Sequence, residues 1–173
     1  MAGSPTSVSR AAAGASGPNT IPQLYRLFFL WIEPVATAVG AYYAALDQQA
    51  YMHLTLPSVT TLVSARESTV LYQLANLYFV FALNEALVLR ATSDVRVWKV
   101  FLFGLLLADF GHLASVTLSG VHGWEVYYRF WEWNSMYWGN LGFVYVGAAM
   151  RSCFLMGVGC GVDAGKVAGK AKR

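Results

Sequence analysis

The sequence predicts an all-α fold, a four-helix transmembrane bundle with N and C termini cytosolic, and three observations carry that expectation. Hydrophobic residues make up 57% of the 173 and charged residues only 12%, far from the balance of a water-soluble domain. The apolar residues fall in long blocks of about 20, the length a helix needs to cross a hydrocarbon core of about 30 Å. Lysine and arginine are spread unevenly over the segments that join those blocks.

The blocks run from Leu24 to Leu46, Val70 to Leu89, Trp98 to Leu118 and Met136 to Val158. Helix is required in each because lipid leaves no external partner for backbone N–H and C=O groups. Pro22 opens the first span and Pro57 breaks the first loop. Ser93-Asp94 offers an N-cap to the third helix. The glycines Gly157, Gly159 and Gly161 follow the fourth. Because they end a membrane helix rather than join a strand to a helix, they read as a helix stop and not as a phosphate loop.

Residues 1–21, rich in Ala, Ser, Gly and Pro, read as a disordered cytosolic tail. Residues 22–160 form the four-span membrane domain and 161–173 a basic cytosolic tail. With four spans, one side carries Arg10, Arg26, Arg90, Arg96, Lys99, Lys166, Lys170, Lys172 and Arg173, the other only Arg66 and Arg129. Positive residues concentrate on the cytosolic side, which puts both ends there. The endoplasmic reticulum is the default address of such an integral, multi-pass protein.

The formal charge of +3 does not indicate nucleic acid, since the basic residues sit in tails and short loops rather than on one face. Cys153 and Cys160 have no zinc-ligand spacing and read as buried free thiols. The third loop is crowded with aromatics, among them Trp124, Trp131, Trp133 and Trp138. An interfacial belt explains them, and a cation-stabilising wall over a pocket is the functional alternative.

Every span carries an ionisable group: Glu33, Glu85, Asp109 with His112, and Arg151. Each costs at least about 2.5–3.5 kcal/mol at mid-membrane, so they should face the bundle interior. Helical rise from the cytosolic edge puts Glu85 and Arg151 about 8 and 12 Å deep, Glu33 and Asp109 about 15 Å, and His112 about 20 Å. Asn84 and Asn76 fall in the same layers. Small residues Ala36, Gly40, Ala44, Gly104, Ala108 and Gly147 mark close helix approach on the faces these groups share. One arginine cannot fully pair three acids, and a carboxyl group kept protonated near neutral pH is the equipment of a general acid. A purely structural role, in which Glu, Arg and Asn register the helices, is the competing reading.

The strings LYRLFFLWIEP (24–34), QLANLYFVFALNEALVLR (73–90), VWKVFLFGLLLADFGH (97–112) and WNSMYWGNLGFVYVGAAMR (133–151) resemble a family of small fungal multipass membrane proteins of unassigned function. In architecture the chain is also similar to the EXPERA group, which includes emopamil-binding sterol isomerases, and to membrane terpene cyclases. That resemblance implies a buried acid (Glu33, Glu85 or Asp109) protonating an alkene or epoxide, with Trp131, Trp133 or Trp138 lining the path of the cation.

The expected function is therefore a cofactor-free acid–base isomerase or cyclase acting on a sterol, terpenoid or polyketide-like substrate. Glu33, Glu85, Asp109, His112 and Arg151 are its candidate catalytic residues; Asn76, Asn84, Trp131, Trp133, Trp138 and Asn140 are candidate substrate contacts. Asp109 and His112 alone do not make a metal site, and nothing points to nucleotide, haem or flavin. Expected partners are membrane lipid and a lipophilic small molecule, with self-association into an oligomer open. A non-catalytic lipid-binding or scaffolding protein is the alternative, and a proton-coupled transporter a third.

Overall fold

A computed structural model describes residues 21–56, 60–118, 120 and 122–160. Both predicted tails, apart from Ile21, and the breaks at Pro57 and Gly161 lie outside the described residues. Those that are described are helical, with no strand among them. Helix α1 spans Gln23–Leu46, α2 Gln48–Thr55, α3 Ala65–Ala91 and α4 Val95–Leu118. Two 3₁₀ turns, Trp124–Tyr127 and Phe130–Glu132, lead into a last helical run over 135–155, α5. Three of these helices, α1, α3 and α4, are long and apolar enough to cross a membrane. The run over 135–155 is not among them, because Tyr137, Trp138, Asn140, Tyr145 and Arg151 dilute its aliphatic content.

Local chemistry sets the boundaries. α3 begins at Ala65 rather than Val70 because Ser64 and Glu67 form a capping box: the Glu67 amide donates to Ser64 Oγ at 3.3 Å and the Ser64 amide to Glu67 Oε2 at 2.7 Å. Asp94 caps α4 as expected, its carboxylate accepting from the Arg96 amide at 2.7 Å. α2 lies in what reads from sequence as open loop; Asp47 starts it by accepting from the Ala50 amide. α5 stops before Gly157 and Gly159, which take positive φ of 81° and 72°, a conformation that costs glycine least.

α1 packs along α3, and α4 along α5. At the end where the chain enters and leaves the bundle, an apolar plug joins four of the five helices. Tyr25, Phe28 and Phe29 of α1 meet Leu89 of α3, Trp98 and Leu102 of α4 and Phe154 of α5. Phe154 stands edge-on to Tyr25 at 5.1 Å between centroids. The Tyr25 hydroxyl and Lys99 Nζ donate to the carbonyls of Val158 and Leu155, which satisfies the end of α5. A smaller plug of Ala44, Tyr51, Leu71 and Ala75 closes the opposite end. Between the two plugs lie a polar cluster and a cavity. Outside, Leu27, Trp31, Phe79, Leu87, Phe103 and Phe110 are exposed, the pattern of a surface that meets lipid.

Candidate functional site

Glu33 owes its position to an irregular turn. Over Phe28–Ile32 the first helix is π-helical, and the Glu33 amide donates to the Phe28 carbonyl five residues back. Pro34 follows and has no N–H, so the Leu30 carbonyl loses the partner a regular helix would give it. Arg90 fills that vacancy, donating Nη2 to Leu30 O at 2.5 Å and Nη1 to Ala86 O at 3.0 Å. Its guanidinium lies over the Trp31 ring at 4.6 Å. Thus Arg90, which from sequence reads as a topology charge, also clamps α3 to α1 one turn before Glu33.

Beyond this clamp Arg151 reaches from α5 and donates one Nη to Glu33 and the other to Asp109. All three are largely buried. Gly147, one turn before Arg151, makes room for it. A Cβ there would stand 2.8 Å from Arg151 Nη1 and 3.6 Å from Glu33 Oε1. Glu85 of α3 is buried and lines the same cavity as Glu33. Glu85 Oε1, Glu33 Oε2 and Arg151 Nε are buried with no hydrogen-bond partner. Four of the five ionisable groups predicted at the centre of the bundle are therefore one cluster, with Arg151 shared by two acids and Glu85 outside its direct grip; the fifth, His112, bonds the Asn140 carbonyl instead.

The cluster forms one end of a cavity of about 540 Å³ between the helices, within the usual range for small-molecule sites. Its wall is mostly apolar and includes Val39, Phe81 and Trp138, all well exposed, so the cavity is not sealed. At the other end His112, Tyr51, Tyr78 and Asn140 line it. His112 Nε2 meets the Asn140 backbone carbonyl at 3.1 Å, so that nitrogen carries the proton. Asn140 lies within a second π-helical turn, Trp138–Gly142; such turns recur at functional sites. Burial pushes the Tyr51 phenol up, against opposing hydrogen bonds from the Tyr78 and Asn140 side chains. It remains a neutral donor.

Other predicted contacts fall elsewhere. Asn76 and Asn84 are exposed and do not line the cavity. Trp131 is 66% exposed, as a membrane-interface residue would be. Trp133 is half-buried but ties down its own loop, donating Nε1–H to Val126 O at 2.8 Å and packing on Trp138. Only Trp138 of the three reaches the cavity wall. Gly104, expected at a close helix contact, faces open space, whereas Gly40 lies against the Tyr78 ring at 3.4 Å. Cys153 and Cys160 are free thiols, half-buried rather than buried. Among the described residues no group of three or more His, Cys, Asp or Glu could hold a metal ion. Tyr51 and Tyr78 were not expected; Tyr78 stands two turns before Glu85 on one face of α3, a spacing that could have revealed it.

A family model described as Domain of unknown function (DUF7704) matches residues 18–160. The chain belongs to that family. The DUF7704 match takes in all five helices and every residue of the cluster and cavity. No curated protein and no solved structure matches the chain.

Proposed function

We propose that this DUF7704 protein is a multi-pass integral membrane enzyme, a cofactor-free acid–base isomerase or cyclase acting on a lipophilic substrate of sterol, terpenoid or polyketide-like character. In this reading α5 is the fourth span; its 21 residues over 135–155 reach about 31 Å at helical rise. Both termini then face the cytosol, by the lysine and arginine bias, and the endoplasmic reticulum is the assigned membrane. The resemblance to the EXPERA isomerases read from the sequence is in keeping with that chemistry.

One observation carries the proposal. Glu85 is buried in the wall of a mainly apolar cavity, beside a second carboxyl group, with Oε1 unpartnered. In the proposed step the Glu85 carboxyl gives its proton to one carbon of a substrate C=C bond. The π electrons form the new C–H bond and leave a cation on the neighbouring carbon. The acids held by Arg151 stabilise that cation. Loss of a proton from an adjacent carbon to the Glu85 carboxylate then re-forms a C=C bond at a new position, or an internal alkene attacks first and closes a ring. Atoms and electrons balance without oxidant or reductant.

The test is lipid metabolite profiling of the source organism after gene deletion, with add-back of wild type or Glu85→Gln. Accumulation of one lipophilic precursor, cleared by wild type and not by normally expressed Glu85→Gln, supports the enzyme. An unchanged profile, or full rescue by Glu85→Gln, refutes it. The latter outcomes favour a non-catalytic lipid-binding or scaffolding protein, whose best support is the Arg151 network itself, since it ties α1, α4 and α5 together.

A further inference from the structure

The cavity has two polar ends, and only one is used by the proposed chemistry. At the other, side chains from four separate elements converge: Tyr51 of α2, Tyr78 of α3, His112 of α4 and Asn140 of the π-helical turn in α5. Tyr51, Tyr78 and Asn140 border this end of the cavity together. Asn140 is fixed through its backbone carbonyl, 3.1 Å from His112 Nε2. Asn134 Nδ2, donating to Leu54 O at 2.8 Å, and the Tyr137 hydroxyl, donating to Thr55 O at 3.0 Å, fasten α2 to the start of α5. Tyr51 is thereby held over the cavity, on a helix too short to cross a membrane.

Helix packing alone gives little reason for this arrangement. Two phenols and an amide in an apolar wall cost free energy unless their donors and acceptors are used, and phenylalanine would fill the same volume. The geometry points to a second binding subsite: Tyr51, Tyr78 and Asn140 hold the single hydroxyl or carbonyl oxygen of an elongated, otherwise apolar ligand. This rests on reading the cavity as a ligand site and deepens it by stating where the oxygen sits. Tyr78 and Glu85 share a face of α3 seven residues apart, about 10 Å along the axis. The ligand therefore carries its oxygen function about 10 Å from the carbon that lies against Glu85. A hydrocarbon of the same shape fits the walls but offers these groups no hydrogen bond, so the site should prefer the oxygenated ligand.

The test measures binding, not turnover. The full chain, in phosphatidylcholine nanodiscs, is titrated with two matched pairs of probes, farnesol against farnesene and cholesterol against cholest-5-ene. Tryptophan fluorescence reports occupancy, with Trp138 in the cavity wall. At least one alcohol should bind about three- to tenfold tighter than its hydrocarbon, the worth of one or two net hydrogen bonds. The preference should fall to near unity in Tyr78→Phe and in Tyr51→Phe, each of which keeps the ring volume, while hydrocarbon affinity is unchanged. Glu85→Gln should retain the preference, so a failed catalytic assignment would leave this result standing. If neither alcohol is preferred by wild type, or if the preference survives both tyrosine substitutions, the subsite is refuted.

Discussion

Replacing Arg151 by leucine removes the one guanidinium that joins Glu33 to Asp109. Taking away one partner of a buried ion pair costs about 3–5 kcal/mol, chiefly because the charge left behind is uncompensated. Here two carboxyl groups lose the same partner, and Glu85, already short of one hydrogen bond, adds a third acid. For a chain of this length, 1 kcal/mol moves Tm by about 2–4 °C. Arg151→Leu should therefore lower Tm by about 10 °C. The half-buried thiols Cys153 and Cys160 allow a direct assay, since a maleimide dye reports their exposure as the detergent-solubilised chain is heated.

The triple variant Arg151→Leu with Glu33→Gln and Asp109→Asn is a stricter test. Neutral amides need no guanidinium, and well-packed replacements of buried ion networks are often no less stable than the original. Most of the lost Tm should return. Arg151→Lys should fall between wild type and Arg151→Leu, because an ammonium is a point charge that lacks the planar fork for two acids. A triple variant as unstable as Arg151→Leu would refute the reasoning, since the loss would then come from packing around Phe29 and Gly147 rather than from unpaired charge.

Gly147→Ala should destabilise by about 1–3 kcal/mol, as overpacking does, because its Cβ would stand 2.8 Å from a guanidinium already held by two acids. Gly104→Ala, with open space around it, should be neutral or stabilising by up to about 1 kcal/mol; equal effects at the two positions in the same thermal assay would contradict the site geometry. Arg90→Met leaves the Leu30 carbonyl unpartnered and should cost about 1–3 kcal/mol. Adding Pro34→Ala restores an N–H to that carbonyl and should recover part of the loss, and a double variant less stable than Arg90→Met alone would show that the clamp is misassigned.

The rough extent of the long helices was legible because apolar blocks of about 20 residues stand out in a sequence, although only three of the four expected spans are long and apolar enough to cross a membrane. Charges inside such spans stand out, so Glu33, Glu85, Asp109 and Arg151 were found from sequence, and they meet as depth counting implied. Rotation about the helix axis was less legible. Asn84 adjoins Glu85 in sequence but points about 100° away from it, and it is exposed where Glu85 is buried. Small residues misled in the same way: Gly40 and Gly147 pack closely, yet Gly104 has no neighbour to receive. The two π-helical turns left no sequence periodicity. α2 escaped notice because eight residues with one buried side chain, Tyr51, make no span.

In lipid the hydrophobic effect does not drive one apolar helix against another, so polar links must supply much of the specificity of packing. The clamp of Arg90 on the Leu30 carbonyl serves that end, and so does the grip of Arg151 on Glu33 and Asp109. Neither role requires Glu85. A bundle held together only by charge would have no need of a third acid at the rim of a cavity, where its burial costs free energy and joins no further helix. The structural and catalytic readings therefore divide along the cluster itself. Arg151, Glu33 and Asp109 tie the helices together, and under the proposed function Glu85 is the group left for chemistry. That division explains why Arg151→Leu should be read out as stability and Glu85→Gln as turnover.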